Sequence, residues 1–257
     1  MEQDLVSIIT PLYNGAEHVA ETIETVINQT CPRWEMVIID DCSTDQGQGK
    51  NIVREYIARD SRISLIALEK NAGSSGARNR GIHAARGEYI AFLDADDLWN
   101  NDFLEKQLAF IQKTGAMIVF SSYRRIDEHS GDELLAPFIV PERVNYHDIL
   151  KSLPIFPSTA MMHTGRLGKY YFNENMGSLR DDYVYWLYLL RKHVAYAYGN
   201  PEVLAAYRMR QDSVTAKKSR MIIPHWKVLH RIENLSLAKS AYYTLWWAWI
   251  SFWKYKK

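Results

Sequence analysis

Apolar and polar stretches alternate in blocks along the first half of the chain, and the blocks carry two periods. Short apolar, β-branched runs at Leu5–Thr10 (LVSIIT), Glu35–Ile39 (EMVII), Ile63–Leu68 (ISLIAL), Tyr89–Leu93 (YIAFL) and Ala116–Ser121 (AMIVFS) predict five strands. Between them the spacing turns helical. Val19, Ile23, Val26 and Ile27 share one helix face, with Asn14 as the expected cap. A polar helix is expected from about Gly49 to Arg59. Ser74 and Ser75 open a small-residue helix that runs to about Ala85. Leu104, Leu108 and Ile111 mark another, capped by Asn100 or Asn101. This βαβαβαβαβ order predicts an α/β fold, a mostly parallel sheet with helices on both faces.

After Ser122 the pattern breaks. Residues 123–175 hold turn residues, prolines and short apolar runs with no repeat. Ser178-Leu179-Arg180-Asp181 resembles a capping box, with Asp in place of Glu or Gln, leading into a helix with Trp186, Leu187 and Leu190. Val203–Tyr207 reads as a further strand. The plausible boundary lies near residue 210.

Polar clusters follow four of the predicted strands. Asp94-Ala95-Asp96-Asp97 directly follows the apolar Tyr89–Leu93 run. Pro11 and Tyr13-Asn14 follow the first strand, Asp40-Asp41 the second, and Asn71 to Asn79, with Gly73, Gly76 and Arg78, the third. In a parallel sheet all four clusters share one edge, where ligands of open α/β folds bind. Clustered carboxylates repel unless a cation or ligand stabilises them, and hard oxygen donors suit Mg²⁺ or Mn²⁺ beside phosphates. Tyr13 can stack on a planar base. Asp40 or Asp41 can accept hydrogen bonds from a base or ribose. Gly73 lets backbone N–H groups approach phosphates at a helix start, and Arg78 adds positive charge. Each of these also has a plain reading as a turn, a cap or loop packing. Their convergence points to a nucleoside-diphosphate site. No GxGxxG follows the first strand and no GxxxxGK[ST] occurs, which excludes the usual dinucleotide and P-loop sites.

Charge and composition refine this picture. The 257 residues are 47% hydrophobic with a net charge of +1. Residues 217–257 carry nine Lys or Arg against Glu233 alone, a local net of +8, so the preceding part carries −7. A basic tail on an acidic body implies a separate partner for the tail. Cys31 and Cys42 show no zinc spacing and fit a reducing compartment. Met1-Glu2-Gln3-Asp4 does not begin a signal peptide, and no apolar stretch is long enough to span a bilayer.

The stretches VSIITPLYNGAEHVAETIETVINQT (6–30), WEMVIIDDCSTD (34–45), NAGSSGARNRGIHAARGEYIAFLDADDLW (71–99) and RDDYVYWLYLLR (180–191) resemble, in order and spacing, the family 2 glycosyltransferases of GT-A fold. The resemblance spans most of residues 5–210. It implies a GT-A domain over 1–210, with a nucleotide-binding half at 1–97 and an acceptor-binding half at 98–210, followed by a helical basic and aromatic tail at 211–257. It further implies an inverting, Mn²⁺- or Mg²⁺-dependent transfer of one sugar from a nucleotide sugar, UDP favoured, to a glycan hydroxyl in bacterial surface polysaccharide synthesis. Tyr13 and Asp41, beside Pro11, match the base-recognition positions. Asp94 and Asp96 match the ends of the DxD motif, Asp94 toward ribose or sugar and Asp96 toward the metal, with Asp97 a second metal candidate. Asp181-Asp182 match the acidic pair that holds the catalytic base, and spacing to Trp186 favours Asp181 slightly. Where relatives carry Tyr-Arg-x-His, this chain has Tyr207-Arg208-Met209-Arg210. Arg210 cannot ligate a metal but can pair with the diphosphate. The QxxRW signature of processive synthases is absent.

Tyr242, Tyr243, Trp246, Trp247, Trp249, Phe252, Trp253 and Tyr255, closed by Lys254, Lys256 and Lys257, suit a headgroup interface. Membrane contact through 240–257 would place the enzyme in the cytoplasm, peripheral at the inner face of the cell membrane, within reach of a polyprenyl-diphosphate-linked or other lipid-linked acceptor. Packing of these aromatics on the catalytic domain or on a second subunit of a homodimer is the other expectation. Nucleic acid is disfavoured because the basic residues mix with large apolar surface. The alternative function is an inactive binding or partner subunit that keeps the fold. A nucleotidyltransferase would need a Gly-rich basic loop where Pro11 to Gly15 stand, and a DxD phosphatase would carry its Asp pair after the first strand.

Overall fold

The structure, a computed structural model, describes residues 1–176, 180–209 and 221–253. Its first half follows the sequence pattern closely. β1 (Glu2–Leu12), β2 (Trp34–Asp40), β3 (Ile63–Ala67) and β4 (Gly87–Phe92) alternate with α1 (Val19–Ile27), α2 (Gln48–Ile57) and α3 (Gly73–Ala84). They pair in the order β3-β2-β1-β4, all parallel. β1 lies between β2 and β4, so the strand order reverses there. The crevice outside the carboxyl ends of β1 and β4 is the ligand position that such a reversal creates.

β5 (Leu98–Trp99), α4 (Phe103–Thr114), β6 (Ile118–Asp127), β7 (Glu133–Phe138), β8 (Arg143–Val144) and α5 (Tyr146–Lys151) come next. The expected fifth parallel strand, β6, does not lie beside β4. β9 (Ala160–His163) separates them and runs antiparallel to both. β9 comes from the stretch with no readable period, because AMMH is short and buried at every position. α6 (Thr164–Leu167), α7 (Asp181–Lys192) and β10 (Ala197–Met209) follow, and β10 pairs parallel with β6. α8 (Ile222–Lys227) and α9 (Leu237–Trp253) end the described chain.

Period-2 alternation divides the core between the two sheet faces. Val6, Ile8, Met36, Ile38, Tyr89 and Ala91 face α1, α2 and α4. Ile9, Val37, Ile39, Ile90 and Phe92 face α3, α5 and α7. β2 is buried at all seven positions, as a strand covered on both faces must be. α3 lies close to the sheet because Gly81 has no side chain; a Cβ there would run into Ile9 and Ile39. Val228 and Leu229 join the same core face as Tyr183 and Trp186, so the chain after residue 220 packs onto the layer that holds α7. Glu233 fixes it, accepting from Tyr146 Oη at 2.6 Å and pairing with Arg191 at 2.9 Å. Among the described residues no helix is long and apolar enough to cross a membrane.

Three helix starts differ from the sequence expectations. α1 begins at Val19, and Asn14 is not its cap. Asn14 sits at φ 50° and its Oδ1 accepts from the backbone N of Thr44 at 2.8 Å, joining two loops. α4 is preceded by Asp102 with no side-chain cap; Gln29, from the end of α1, accepts from Leu104 N at 2.9 Å instead. The Asn100 side chain is occupied with Val203 O. Asp181 is the first residue of α7, after Arg180 at φ 67°, so it does not stand at the third helical position that a capping box requires; Ser178 and Leu179 lie outside the described residues.

Candidate active site

A cleft of about 350 Å³ opens at the carboxyl ends of the parallel strands. Its walls come from four loops: Pro11, Leu12, Tyr13 and Gly15 after β1, Asp41 after β2, Asn71 to Arg78 before and within α3, and Asp94, Ala95 and Asp96 after β4. Tyr13 is 52% exposed, its ring open to a planar partner. Asp41 is buried, and its Oδ1 accepts from the backbone N of Ala72 at 2.6 Å, while its carbonyl accepts from Asn71 Nδ2 at 3.0 Å. Burial raises its pKa; the backbone N–H groups of Ala72 and Gly73 oppose that rise and the charge of Asp40 adds to it. Gly73, at φ 71°, makes the turn into α3 that a side chain would strain.

Asp40 and Asn14 do not line the cleft. Asp40 ends β2, fully buried, 3.4 Å from Lys50 Nζ. It points away because successive strand residues alternate faces. Arg210 lies outside the described residues.

The three carboxylates after β4 have different surroundings. Asp94 pairs with Arg78 Nη2 at 2.6 Å, and its backbone N donates to Ser158 Oγ at 3.1 Å. Asp96 borders the cleft and offers hard oxygen donors to it. Asp97 is 1% exposed and turned into the protein, accepting from Ser158 Oγ at 2.5 Å and from Arg208 N at 3.1 Å. Burial, then the charges of Asp96 and Asp94, push its pKa well above that of an ordinary aspartate. The Arg208 guanidinium closes the turn from below: Nε donates to Asp96 O at 2.9 Å and Nη2 meets Glu21 at 2.6 Å. Of the three, Asp96 therefore fits a divalent cation in the cleft, with Asp97 shaping the turn that presents it.

Arg78 ties this half to α7. Its Nη1 lies 3.3 Å from Asp181 Oδ2, the oxygen that also accepts from Ser74 Oγ at 2.6 Å and Ser75 Oγ at 3.1 Å. Burial works against the Arg78 charge, yet the charges of Asp94 and Asp181 prevail and raise its pKa. Asp182 differs from its neighbour. Its Oδ1 accepts from the backbone N of Tyr183 at 2.7 Å. Burial, then repulsion by Asp181, raises its pKa to about 6 against the pull of Arg180, the Tyr183 N–H and Arg78. That matches a general base working near neutral pH. An aromatic cluster seats α7: Phe92 at the end of β4 meets Phe172, Tyr185 and Trp186 edge-on, and Phe172 stacks on Tyr185 at 3.9 Å.

Ser74, Ser75, Ser158 and Arg208 were missed as site residues. Ser158 lies in the unreadable stretch. Arg208 carried a signal, its place in the Tyr207-Arg208 pair.

Comparison with known proteins identifies the family and the fold. The glycosyl transferase family 2 model matches residues 7–171. The chain is 37% identical over 238 residues to TuaG of Bacillus subtilis (strain 168), named for teichuronic acid biosynthesis, covering 93% of this chain and 92% of that one. It is 31% identical over 242 residues to WfgD of Escherichia coli, named a UDP-Glc:α-D-GlcNAc-diphosphoundecaprenol β-1,3-glucosyltransferase, covering 94% and 92%. The crystal structure of S. aureus TarS 1–349 in complex with UDP-GlcNAc superposes with a TM-score of 0.69 at 22% identity, over 95% of this chain and 71% of that one, and so shares the fold. The chain belongs to glycosyl transferase family 2 and is a glycosyltransferase.

Proposed function

We propose that the enzyme moves one sugar from a UDP-sugar to a hydroxyl of a lipid-linked glycan in bacterial surface polysaccharide synthesis, with inversion at the anomeric carbon. The observation that carries this reading is the shared cleft: Tyr13, Asp41, Gly73, Asp94 and Asp96 line one cavity, and Arg78 joins it to the Asp181-Asp182 pair. Tyr13 stacks on the base and Asp41 accepts its N–H, with Pro11 beside them. Asp94 contacts the ribose or sugar. Asp96 would hold Mn²⁺ or Mg²⁺, which when bound would neutralise charge on the diphosphate. Asp182 takes the proton from the acceptor hydroxyl as that oxygen bonds to the anomeric carbon. The bond from this carbon to the diphosphate oxygen breaks, and its electron pair leaves with the nucleotide. Attack from the face opposite the leaving group inverts the centre. Asp181, held by Ser74, Ser75 and Arg78, orients the pair.

The substrate class rests on TuaG and WfgD, since the latter acts from UDP-Glc on a diphosphoundecaprenol-linked sugar by its name. The C-terminal helix suits such an acceptor. Tyr242, Leu245, Trp246 and Trp249 recur at helical spacing and are exposed by 50%, 71%, 42% and 65%. This face of α9, with the basic residues of the tail, rests on an anionic membrane surface.

Titration calorimetry of UDP with Mn²⁺ tests the reading. Metal-dependent binding lost in Asp96→Ala is expected. Binding of GDP or dTDP in place of UDP changes the donor. No nucleotide bound under any metal condition overturns the reading.

A further inference from the structure

Arg180 precedes the acidic pair, and it is not an ordinary helix-start residue. Its backbone is left-handed at φ 67°, and its carbonyl accepts from Val184 N in the first turn of α7. The guanidinium carbon lies 4.4 Å from the ring centroid of Trp247 on α9 and 5.6 Å from that of Tyr183. Trp247 in turn stacks on His225 of α8 at 4.7 Å, and His225 stacks on Tyr183 at 5.1 Å. His225 is fully buried. The three rings and the guanidinium form one block joining α7, α8 and α9. Ser240 and Thr244, on the inward side of α9, are buried, while Tyr242, Leu245, Trp246 and Trp249 look outward. A single helix therefore presents an apolar stripe to the exterior and an aromatic ring to the residue next to the acidic pair.

A cation over an indole face is held by the ring quadrupole, most strongly where water is excluded. A strained left-handed arginine needs such an over-determined setting, because a non-glycine residue adopts that backbone at a cost. A cation near a carboxylate favours its ionised form. Among the described residues the groups that act on Asp182 are Asp181, Arg180, the N–H of Tyr183 and, from α3, Arg78.

We propose that Trp247 is a positioning residue for the acceptor-side base: its ring holds the guanidinium of Arg180, the residue that directly precedes Asp181 and Asp182, so the C-terminal helix completes the active site. This rests on the reading of Asp182 as the base. It makes α9 a working part of the enzyme, so that a change in how α9 sits reaches the base through one cation and one ring.

The test follows the Asp182 carboxyl directly, without a substrate. Full-length protein labelled with [γ-¹³C]aspartate is titrated by NMR, with Asp182→Asn assigning the signal. Arg180→Gln, Trp247→Met and Trp247→Phe are compared with wild type. Removal of the cation, or of the ring that holds it, is expected to raise the Asp182 midpoint by about one pH unit. The corresponding ionised fraction below both midpoints falls about tenfold. Trp247→Phe keeps an aromatic face and restores the wild-type midpoint. UDP release from UDP-Glc should lose kcat at pH 5 to 6 in Arg180→Gln and Trp247→Met, with KM for the donor unchanged. An unchanged midpoint in Trp247→Met with a raised one in Arg180→Gln overturns the role of Trp247. An unchanged midpoint in Arg180→Gln overturns the whole coupling, and this variant leaves the α9 packing intact should Trp247→Met fail to fold. Failure of wild-type protein to bind any nucleotide would instead count against the enzyme reading, and the NMR midpoints would still decide the coupling.

Discussion

Arg78 on α3 reaches Asp181 on α7 at 3.3 Å, across 103 residues of sequence. With its other nitrogen it holds Asp94 at 2.6 Å, so one buried cation sits between the two halves of the site. Removing one partner of a buried ion pair leaves an uncompensated charge. Arg78→Ala leaves two carboxylates behind. A loss of about 3–5 kcal/mol is expected, read by urea unfolding. A loss under about 1 kcal/mol, the scale of an exposed pair, would show that water replaces the cation easily.

The two acids of α7 should separate cleanly on mutation. With Asp182 as the proposed base, kcat of Asp182→Asn should fall by about 10²–10⁴-fold while nucleotide binding persists. Asp181→Asn weakens the bonds from Ser74, Ser75 and Arg78, so its first effect is on melting temperature. The protonation state of Asp182 adds a sign. Its pKa rises on folding from 3.8 to about 6, so its contribution to stability is present below pH 4 and lost as pH rises through 6. Asp182→Asn should be more stable than wild type at pH 8 and no more stable at pH 4. Kinetics and melting curves at both pH values check this, and equal loss of kcat in the two variants would remove the distinction.

His225 predicts an acid sensitivity. Neither ring nitrogen has a hydrogen-bond partner among the described residues. Burial, then the nearby Arg180, lowers its pKa from 6.5 to about 3. The folded form keeps the ring neutral while the unfolded chain binds a proton. Stability is therefore full above pH 6.5 and declines as pH falls toward 3. At pH 5 the loss from this residue is about 2 kcal/mol. His225→Phe keeps the ring stack and should flatten the melting temperature between pH 7 and 5. An unaltered slope would place the acid sensitivity elsewhere.

The outward face of α9 predicts lipid binding. Cosedimentation with vesicles of anionic phospholipid should fall about tenfold or more when Leu245 and Trp249 are changed to Ser, following the loss of buried apolar area. Circular dichroism should be unchanged, since both side chains are more than half exposed. Binding that survives the double change, or a shift of the wild-type protein to dimers without lipid, would assign the face to another partner.

The first four strands and the loops after them were legible because a parallel βαβ unit states its period locally. An apolar run such as Tyr89–Leu93 followed at once by Asp94-Ala95-Asp96-Asp97 marks both a buried strand and its chemical end. Ser158 was not legible. Its partners, Asp94 and Asp97, lie 64 and 61 residues away, and nothing beside a Pro-Ser-Thr turn announces them. Asp40 and Asp41 looked alike in sequence; the pleat separates them, burying one beside Lys50 and aiming the other at the turn into α3.

The sequence by itself determined the order of elements in the first half, the edge on which the polar loops gather, and the family, because these follow from local periods and from motifs of fixed spacing. Only the tertiary structure gave neighbouring carboxylates different surroundings. Asp96 borders the cleft while Asp97 turns inward, Asp181 is held by three donors while burial and Asp181 raise the pKa of Asp182, and Trp247 meets Arg180. The physical reason is that a carboxylate's protonation and reach depend on burial and on charges brought from distant segments, and chain neighbours carry no record of either.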